Sequence, residues 1–230
     1  MIHTDKKALV VLSGGQDSVT CLGVALKQYG NVEAICFEYG QRHTIELEQA
    51  EQVCRMFNVN LVEHTIPSLE TLADSALIGG KGDVSDKHHD HKDLPASFVP
   101  NRNALFITIA HAYAQKIKAD HLILGVCETD YSGYPDCRAA FIDAMEETLN
   151  LGYQTAIRIR TPLMYIDKAA TFQLAEDVDF LNVVLEHSHT CYNGIRNTKH
   201  EWGYGCAQCP ACELRAKGYD AYLANRKQTA

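Results

Sequence analysis

The segment Ser13-Gly14-Gly15-Gln16-Asp17-Ser18 places hydroxyls, glycines and a carboxylate directly after an apolar run at residues 8–12. A glycine-rich turn between a buried strand and a helix presents backbone N–H groups and the positive end of the helix dipole at one point, which suits a phosphate chain. Ser13 and Ser18 add hydroxyl donors, and Asp17 can help to hold the Mg²⁺ that accompanies ATP. The lysine of the Walker loop is missing. A lone Ser-Gly-Gly is as readily a plain strand–helix turn, whereas the complete Ser-Gly-Gly-x-Asp-Ser is far more specific.

This loop resembles that of the ATP-pyrophosphatase (PP-loop) enzymes, which adenylate a substrate oxygen and release pyrophosphate. A second segment that looks similar is Thr161-Pro162-Leu163, followed by Asp167-Lys168 at a helix start. A lysine in a first turn opposes the helix dipole, so a bound anion would explain Lys168; a solvated side chain is the alternative. The resemblance implies ATP and Mg²⁺ as cofactors and catalytic roles for Asp17, Ser18 and Lys168. The implied ATP-binding residues are Leu12, Ser13, Gly14, Gly15, Gln16, Asp17, Ser18, Val19, Thr20, Cys21 and Leu22.

Four further segments, at residues 38–43, 98–103, 125–130 and 132–138, narrow the resemblance. Together with the loop and a cysteine-rich tail, they make residues 8–215 similar to the 7-cyano-7-deazaguanine synthase family, the nitrile-forming enzymes of the queuosine pathway. The resemblance implies 7-carboxy-7-deazaguanine and ammonia as substrates, and a homodimer. The expected substrate-binding residues are Arg42, Arg102, Glu128, Asp130, Tyr134 and Asp136. The sequence departs from the family at Asn101, where glycine is frequent, and in a longer stretch at residues 197–205.

The chemistry of these residues is compatible with that interpretation. Arg42 and Arg102 can each pair with a carboxylate or phosphate through two parallel hydrogen bonds. Glu128 and Asp130 follow a predicted strand, and the carboxyl ends of strands are where open α/β sheets bind ligands. There they can accept hydrogen bonds from the donor edge of a guanine-like base. Taken singly, each of these loop residues can equally be a solvated surface side chain.

Cys206, Cys209 and Cys212 form a C-x-x-C-x-x-C motif, and Cys191 can complete a tetrahedral set. Four thiolates leave no open position for water or substrate, so we expect a structural Zn²⁺ that ties the tail to the rest of the chain. An iron–sulfur cluster or a redox disulfide are the competing interpretations.

Composition limits the classes of function. The 230 residues are 46% hydrophobic, which is enough for a substantial core, and the net charge is −8. The negative charge and the lack of a basic patch favour small-molecule substrates over direct nucleic-acid binding. No run approaches the ~20 apolar residues of a membrane span, and no secretion signal is evident. The nine cysteines then indicate a reducing cytoplasm rather than a disulfide framework.

The elements that must position these residues alternate between strands and helices, which is typical of βαβ units. Strands are predicted at residues 8–12, 32–37, 121–125 and 157–159, and Leu61-Val62 is predicted to open another, with helices between and after them. We therefore expect an α/β fold with a doubly wound, mostly parallel five-stranded sheet of the PP-loop type. The predicted division is a nucleotide-binding domain at residues 1–185 and a C-terminal zinc-binding module at residues 186–230. Residues 78–99, with few apolar anchors, are predicted to be a lid over the site.

Two other functions remain open at this point. A tRNA thiolase of the same superfamily would use a cysteine as a sulfur carrier and would need a basic tRNA-binding surface. A zinc module on a non-catalytic ATP-binding scaffold would bind ATP without turnover. The histidine run at residues 87–91 suggests a metal site or, more simply, a solvated part of the lid.

Overall fold

The computed structural model describes residues 3–67, 69, 75–78, 96–129 and 134–229. The described strands are β1 (His3–Val11), β2 (Tyr29–Glu38), β3 (Asn60–Thr65), β4 (His121–Ile123), β5 (Arg158–Arg160), β6 (Lys199–His200) and β7 (Gly203–Tyr204). The described helices are α1 (Gln16–Gln28), α2 (Ile45–Met56), α3 (Arg102–Lys116), α4 (Ala139–Tyr153), α5 (Lys168–Asp177), α6 (Leu181–His187) and α7 (Pro210–Thr229), with a short 3-10 helix at Pro135–Cys137. Among these helices, none has both the length and the apolar character needed to cross a membrane.

The first five strands form one parallel sheet in the order β3-β2-β1-β4-β5. Val10 on the central strand lies opposite Ala34 on β2 and Ile123 on β4. The prediction of a doubly wound, five-stranded α/β fold is therefore confirmed. Because the strand order reverses on either side of β1, the loops that follow β1, β2 and β4 meet at the crevice where such folds bind ligands.

Alternate side chains of β1 supply the apolar cores on the two faces of the sheet. Val10 packs in a cluster with Phe172 of α5 and Tyr222 of α7. Leu9 packs in a second cluster, which includes Ile107 of α3. Both strand residues are completely buried. Since successive strand residues point to opposite faces, this alternation holds helices on both sides of the sheet.

Three features of the chain differ from the sequence-based expectations. The second strand was predicted at residues 32–37, but α1 ends at Gln28 and β2 begins directly after it at Tyr29, so Gly30-Asn31 lies within the strand. Helix α6 was not predicted, because its seven residues are too few to show a clear period. Helix α7 runs for 20 residues through the tail, where the density of Cys, Gly and charge hid its apolar face.

The tail packs against the sheet domain at Gly218 of α7. A Cβ atom at Gly218 would lie 2.4 Å from Cβ of Lys168, so only glycine allows α7 to cross α5 this closely. A separate small cluster contains Trp202 and three of the tail cysteines. The division at residues 185 and 186 stays a prediction, although Tyr222 of the tail contributes to the main core.

Candidate active site

The two serines of the loop between β1 and α1 fold it back on itself. Ser18 Oγ donates to the Gly15 carbonyl at 3.1 Å and accepts from the Gly14 N–H at 3.2 Å. Ser13 Oγ lies 3.1 Å from Ser18 Oγ and accepts from the Gly15 N–H at 3.3 Å. Gly15 is the N-cap of α1 and has no side chain with which to cap it. The first-turn N–H groups of α1 are therefore suited to an anionic phosphate.

Two glycines allow this loop to lie between α2 and the end of β4. Gly14 has a φ of +88°, and a Cβ atom there would lie 1.9 Å from the carbonyl oxygen of Glu46. Gly125 follows β4, and a Cβ atom there would lie 3.0 Å from the Ser18 nitrogen. Gly14 therefore needs the absence of a side chain, and the contact at Gly125 is tight, so both glycines allow the loop to lie close to its neighbours.

Asp17 and Lys168 form an ion pair beside the loop. Lys168 Nζ donates to Asp17 Oδ2 at 2.6 Å, and the two side chains are only 11% and 26% exposed. Lys168 is the first residue of α5, whose N-cap Asp167 accepts a hydrogen bond from the Ala170 N–H at 2.8 Å. The second carboxylate oxygen of Asp17, Oδ1, is buried and has no partner among the described residues. That oxygen fits the role of a ligand to a divalent cation.

A cavity of about 330 Å³ lies at the carboxyl ends of β1, β2 and β4. Its size is that of a small-ligand site. The residues predicted to bind ATP or substrate that line it are Leu12, Ser13, Gly15, Gln16, Asp17, Ser18, Arg42, Arg102 and Tyr134. Other members of the predicted ATP-binding segment, from Val19 to Leu22, are buried behind the loop in the core.

Arg102 and Glu46 are charged groups in the cavity wall. Burial of the Arg102 guanidinium lowers its pKa, but the attraction of Tyr39, Tyr134 and Asp136 outweighs burial, so the pKa is raised overall. Burial raises the pKa of Glu46 to about 7, and the charge of Arg102 opposes part of that rise. The carboxyl group of Glu46 therefore titrates close to neutral pH.

The residue before Arg102 departs from the family pattern, in which glycine is frequent at that position. Asn101, the N-cap of α3, has a φ of 57° and adopts the left-handed conformation. Glycine reaches this region without strain, and asparagine is among the few other residues that tolerate it. The replacement of glycine by Asn101 thus leaves the start of α3 intact.

The acidic residues predicted to bind substrate occupy different positions. Glu128 is exposed, and its Oε2 accepts from the Ala139 N–H at 3.1 Å at the start of α4. Asp136 is buried, and its Oδ2 accepts from the Asn103 N–H at 3.1 Å. Neither lines the cavity, and each caps the first turn of a helix. Asp130 lies outside the described residues. Substrate roles for these three residues stay predictions.

Sequence reasoning missed several residues of the cavity wall. Glu46 lies four residues after Arg42, in the first turn of α2, a spacing that carries a weak signal. His189 and Tyr192 flank the metal-ligand candidate Cys191 and were overlooked beside it. The His189 ring is completely buried, and burial lowers its pKa to about 4. It is therefore neutral at physiological pH.

The four tail cysteines converge on one point. The sulfur atoms of Cys191, Cys206, Cys209 and Cys212 all lie within 4.8 Å of one another. Zn–S bonds of about 2.3 Å in a tetrahedron place the sulfurs about 3.8 Å apart, so the spacing fits zinc after a small contraction. A hydrogen bond from the Cys212 thiol lowers the pKa of Cys209, which favours a thiolate there. The cluster can hold a metal ion.

Arg215 holds the cysteine segment to the sheet domain. It is 1% exposed and donates from Nε to the Trp202 carbonyl at 2.8 Å, and from its terminal nitrogens to Thr190 Oγ1 and the Val184 carbonyl, both at 2.9 Å. These bonds join α6, α7 and the hairpin of β6 and β7. They also fix Thr190, which lines the cavity next to Cys191. The metal cluster and the cavity therefore share one segment of chain.

Comparison with known proteins adds independent findings. The model of the family described as "Queuosine biosynthesis protein QueC" matches residues 7–223. A relative from Wolinella succinogenes named 7-cyano-7-deazaguanine synthase is 53% identical over 95% of this chain and 94% of its own length. A relative of the same name from Helicobacter pylori is 47% identical, with 95% and 97% covered. A solved structure described as a predicted subunit of tRNA methyltransferase from Methanocaldococcus jannaschii is 20% identical, with a TM-score of 0.49 and coverage of 75% of this chain and 76% of that chain.

Proposed function

The chain belongs to the queuosine biosynthesis protein QueC family, and on that premise we propose that it converts 7-carboxy-7-deazaguanine and ammonia into 7-cyano-7-deazaguanine with consumption of ATP. The name shared by its relatives supplies the product. One structural observation carries the proposal. A single cavity brings the glycine-rich loop and Asp17 together with the two arginines Arg42 and Arg102. A phosphate chain and an organic acid can thus be held in one space.

The chemical difficulty is that carboxylate and amide oxygens are poor leaving groups. Transfer of an AMP group from ATP to the substrate carboxylate, with release of pyrophosphate, makes that oxygen a good leaving group. Ammonia then attacks the carbonyl carbon and gives the amide. A second ATP activates the amide oxygen in the same way; that oxygen then leaves in AMP while the nitrogen loses its two protons, and the nitrile forms. No residue of the chain needs to act as a covalent nucleophile.

The residues contribute positioning and charge. The N–H groups at the start of α1 bind phosphate oxygens, and the ammonium group of Lys168 neutralises negative charge that develops during adenylation. Asp17 orients Lys168 through the 2.6 Å ion pair. The buried Oδ1 of Asp17 is the atom that would hold Mg²⁺, which would screen the phosphate charges when bound. Arg42 and Arg102 bind the deazapurine acid.

Water must be excluded, since it would hydrolyse the acyl adenylate. We assign this role to the lid predicted at residues 78–99. Its two described ends are fixed: Ile78 and Val99 are buried, and Ser97 Oγ lies 2.7 Å from the Tyr134 hydroxyl in the cavity wall. Residues 79–95, including the histidine run at residues 87–91, lie outside the described residues.

The cysteine cluster is proposed to hold a structural Zn²⁺. Four thiolate ligands fill a tetrahedron, so the ion would have no position for water or substrate. Cys191 also lines the cavity, and the ion would therefore fix the wall formed by His189 to Tyr192. Its contribution to the reaction is the shape of the site.

The remaining parts of the proposal concern the partners and the compartment. We expect a homodimer in the bacterial cytoplasm that acts on small molecules without direct binding of nucleic acid. Light scattering after size-exclusion chromatography gives the subunit number. The tRNA thiolase alternative is not favoured, because the family match and the names of the relatives point to the nitrile-forming reaction.

The decisive experiment is incubation of the purified protein with ATP, Mg²⁺, ammonium and 7-carboxy-7-deazaguanine, with the products followed by mass spectrometry. The amide should appear first, followed by the nitrile, and AMP should accumulate. Omission of ammonium should stop both organic products. Absence of amide and nitrile under all conditions would refute the proposed function, and ATP binding without turnover would favour a non-catalytic scaffold.

A further inference from the structure

Among the described residues that line the cavity, only Asp17 and Glu46 carry carboxylates. Asp17 is paired with Lys168 beside the phosphate loop. Glu46 is half-buried in the first turn of α2 and is not a member of that pair. Acidic residues after β4 were expected to hold the base, yet Glu128 of that segment accepts a hydrogen bond from the first residue of α4. Glu46 is therefore a carboxylate of the cavity that the adenylation chemistry does not use.

Arg102, the first residue of α3, lines the same cavity as Glu46. Its charge acts on the carboxyl group of Glu46, but no salt bridge joins the two side chains directly in the part of the chain described. A donor group and an acceptor group therefore line the same cavity. Tyr39 and Tyr192 also line this cavity, and the guanidinium carbon of Arg102 lies 6.0 Å from the centroid of the Tyr39 ring. The wall offers stacking surfaces beside a donor and an acceptor.

This arrangement matches one edge of a guanine-type base. That edge presents an acceptor at O6 followed by two donors, N1–H and the N2 amino group. A guanidinium can donate to O6, while the two oxygens of a neighbouring carboxylate accept from N1–H and N2–H. We propose that Glu46, with Arg102 beside it, is the specificity-determining residue that reads this edge of the deazaguanine substrate. The inference rests on the proposed function and assigns Arg42 to the opposite, carboxylate side of the substrate.

The adenine of ATP is the other base that enters the cavity, and its edge offers one donor and one acceptor. It would use only one oxygen of Glu46 and leave the second without a partner. The guanine-type edge pairs with both oxygens of Glu46. An acceptor that loses its partner on desolvation costs more free energy than one hydrogen bond contributes. The observations therefore favour the deazaguanine over ATP at this wall.

The test compares 7-carboxy-7-deazaguanine with its analogue that lacks the 2-amino group, using kcat/KM for amide formation. The native protein should prefer the amino-bearing substrate by roughly 10- to 100-fold. Glu46→Gln should reduce that preference to a few-fold, mainly through a higher KM for the natural substrate, with the KM for ATP unchanged. Glu48→Gln, an exposed glutamate of the same helix, is the matched control and should keep the full preference.

Three outcomes distinguish recognition of the base edge by Glu46 from adenine binding at this wall and from a failure of the proposed function. If Glu46→Gln lowers kcat/KM equally for both deazapurines, Glu46 does not read the edge and the inference is wrong. If the variant raises the KM for ATP and leaves the preference intact, the wall binds adenine and the inference is also wrong. If the native protein turns over neither compound, it is the proposed function that fails. Thermal unfolding of each variant shows whether a loss reflects folding alone.

Discussion

Lys168 and Asp17 are 151 positions apart in sequence, yet the lysine Nζ lies 2.6 Å from the aspartate Oδ2 at the mouth of the phosphate loop. The start of α5 is thereby joined to the start of α1. The pair links two segments that were recognised separately in the sequence as PP-loop elements. It places a cation and a carboxylate where negative charge is transferred in the proposed reaction.

The first prediction concerns this pair. Lys168→Met should lower kcat by about 10²- to 10³-fold, because a charge that stabilises the transition state is removed. Steady-state kinetics of pyrophosphate release measures the effect, and thermal unfolding should show a folded protein. Lys27→Met is the control, since Lys27 pairs with Asp179 at 2.9 Å on the exposed surface and should change neither quantity appreciably. Equal losses in the two variants would contradict a catalytic role for Lys168.

The second prediction uses two glycines. Gly14→Ala should destabilise the protein by more than about 1 kcal/mol and abolish ATP binding, because its φ is +88° and the new Cβ would overlap the Glu46 carbonyl. Gly152→Ala, near the end of α4, has no atom within 4 Å of the added Cβ. It should leave ATP affinity unchanged and stabilise the helix by up to about 1 kcal/mol. Chemical denaturation measures the stability of both variants, and titration with ATP measures their affinity. Unchanged stability and ATP affinity in Gly14→Ala would contradict the loop conformation described for Gly14.

The cysteines supply the third prediction. Cys209→Ser should reduce bound zinc from about one ion per chain to a small fraction and lower the melting temperature. Catalysis should weaken as well, because Cys191 belongs to both the cluster and the cavity wall. Cys54→Ala is the matched control: that thiol is buried in the core, away from the cluster, and its loss should leave the metal content unchanged. Elemental analysis identifies the bound metal, and iron in place of zinc would show that the cysteines hold an iron–sulfur cluster.

Features that depend on residues close together in the sequence could be predicted from the sequence. The strand, turn and helix around Gly14 and Gly15 and the cap at Asp167 follow from short-range rules on glycine, strand periods and capping residues. Partners that come together only through packing could not be inferred in this way. The contact of Arg215 with the Trp202 carbonyl depends on how α7 crosses α5, and that crossing depends on Gly218, which reads locally as a helix breaker. Glu46 was missed for the same reason, because only the fold brings the first turn of α2 and the first turn of α3 to the same cavity.

The last prediction is a pH dependence of substrate binding that belongs to Glu46. Burial raises the pKa of this carboxyl group to about 7, so it is largely protonated at pH 6 and largely ionised at pH 8. Only the ionised form accepts hydrogen bonds from both donors of the base. Affinity for the deazapurine acid should therefore rise with pH through about 7 and then level off.

The groups that face Glu46 support this assignment. Arg102 stays charged, because its pKa is raised, and burial raises the pKa of Tyr39 and of Tyr192, so both stay neutral in this range. His189 is also neutral, since burial lowers its pKa to about 4. Calorimetry without ATP, from pH 6 to pH 8, should show the rise in the native protein and in His43→Gln, a variant of another cavity residue. Glu46→Gln should give a flat profile, and a flat profile in His43→Gln instead would assign the titration to the histidine.

Folding provides a second measurement of the same carboxyl group. The folded chain holds the Glu46 proton more tightly than the unfolded chain, whose carboxyl has the ordinary pKa of 4.5. The resulting contribution to stability is fully present below that value and is lost as the pH rises through about 7. The free energy of unfolding of Glu46→Gln, relative to the native protein, should therefore increase between pH 4.5 and pH 7 and stay constant above. A difference that does not vary with pH would show that the native carboxyl group has no raised pKa.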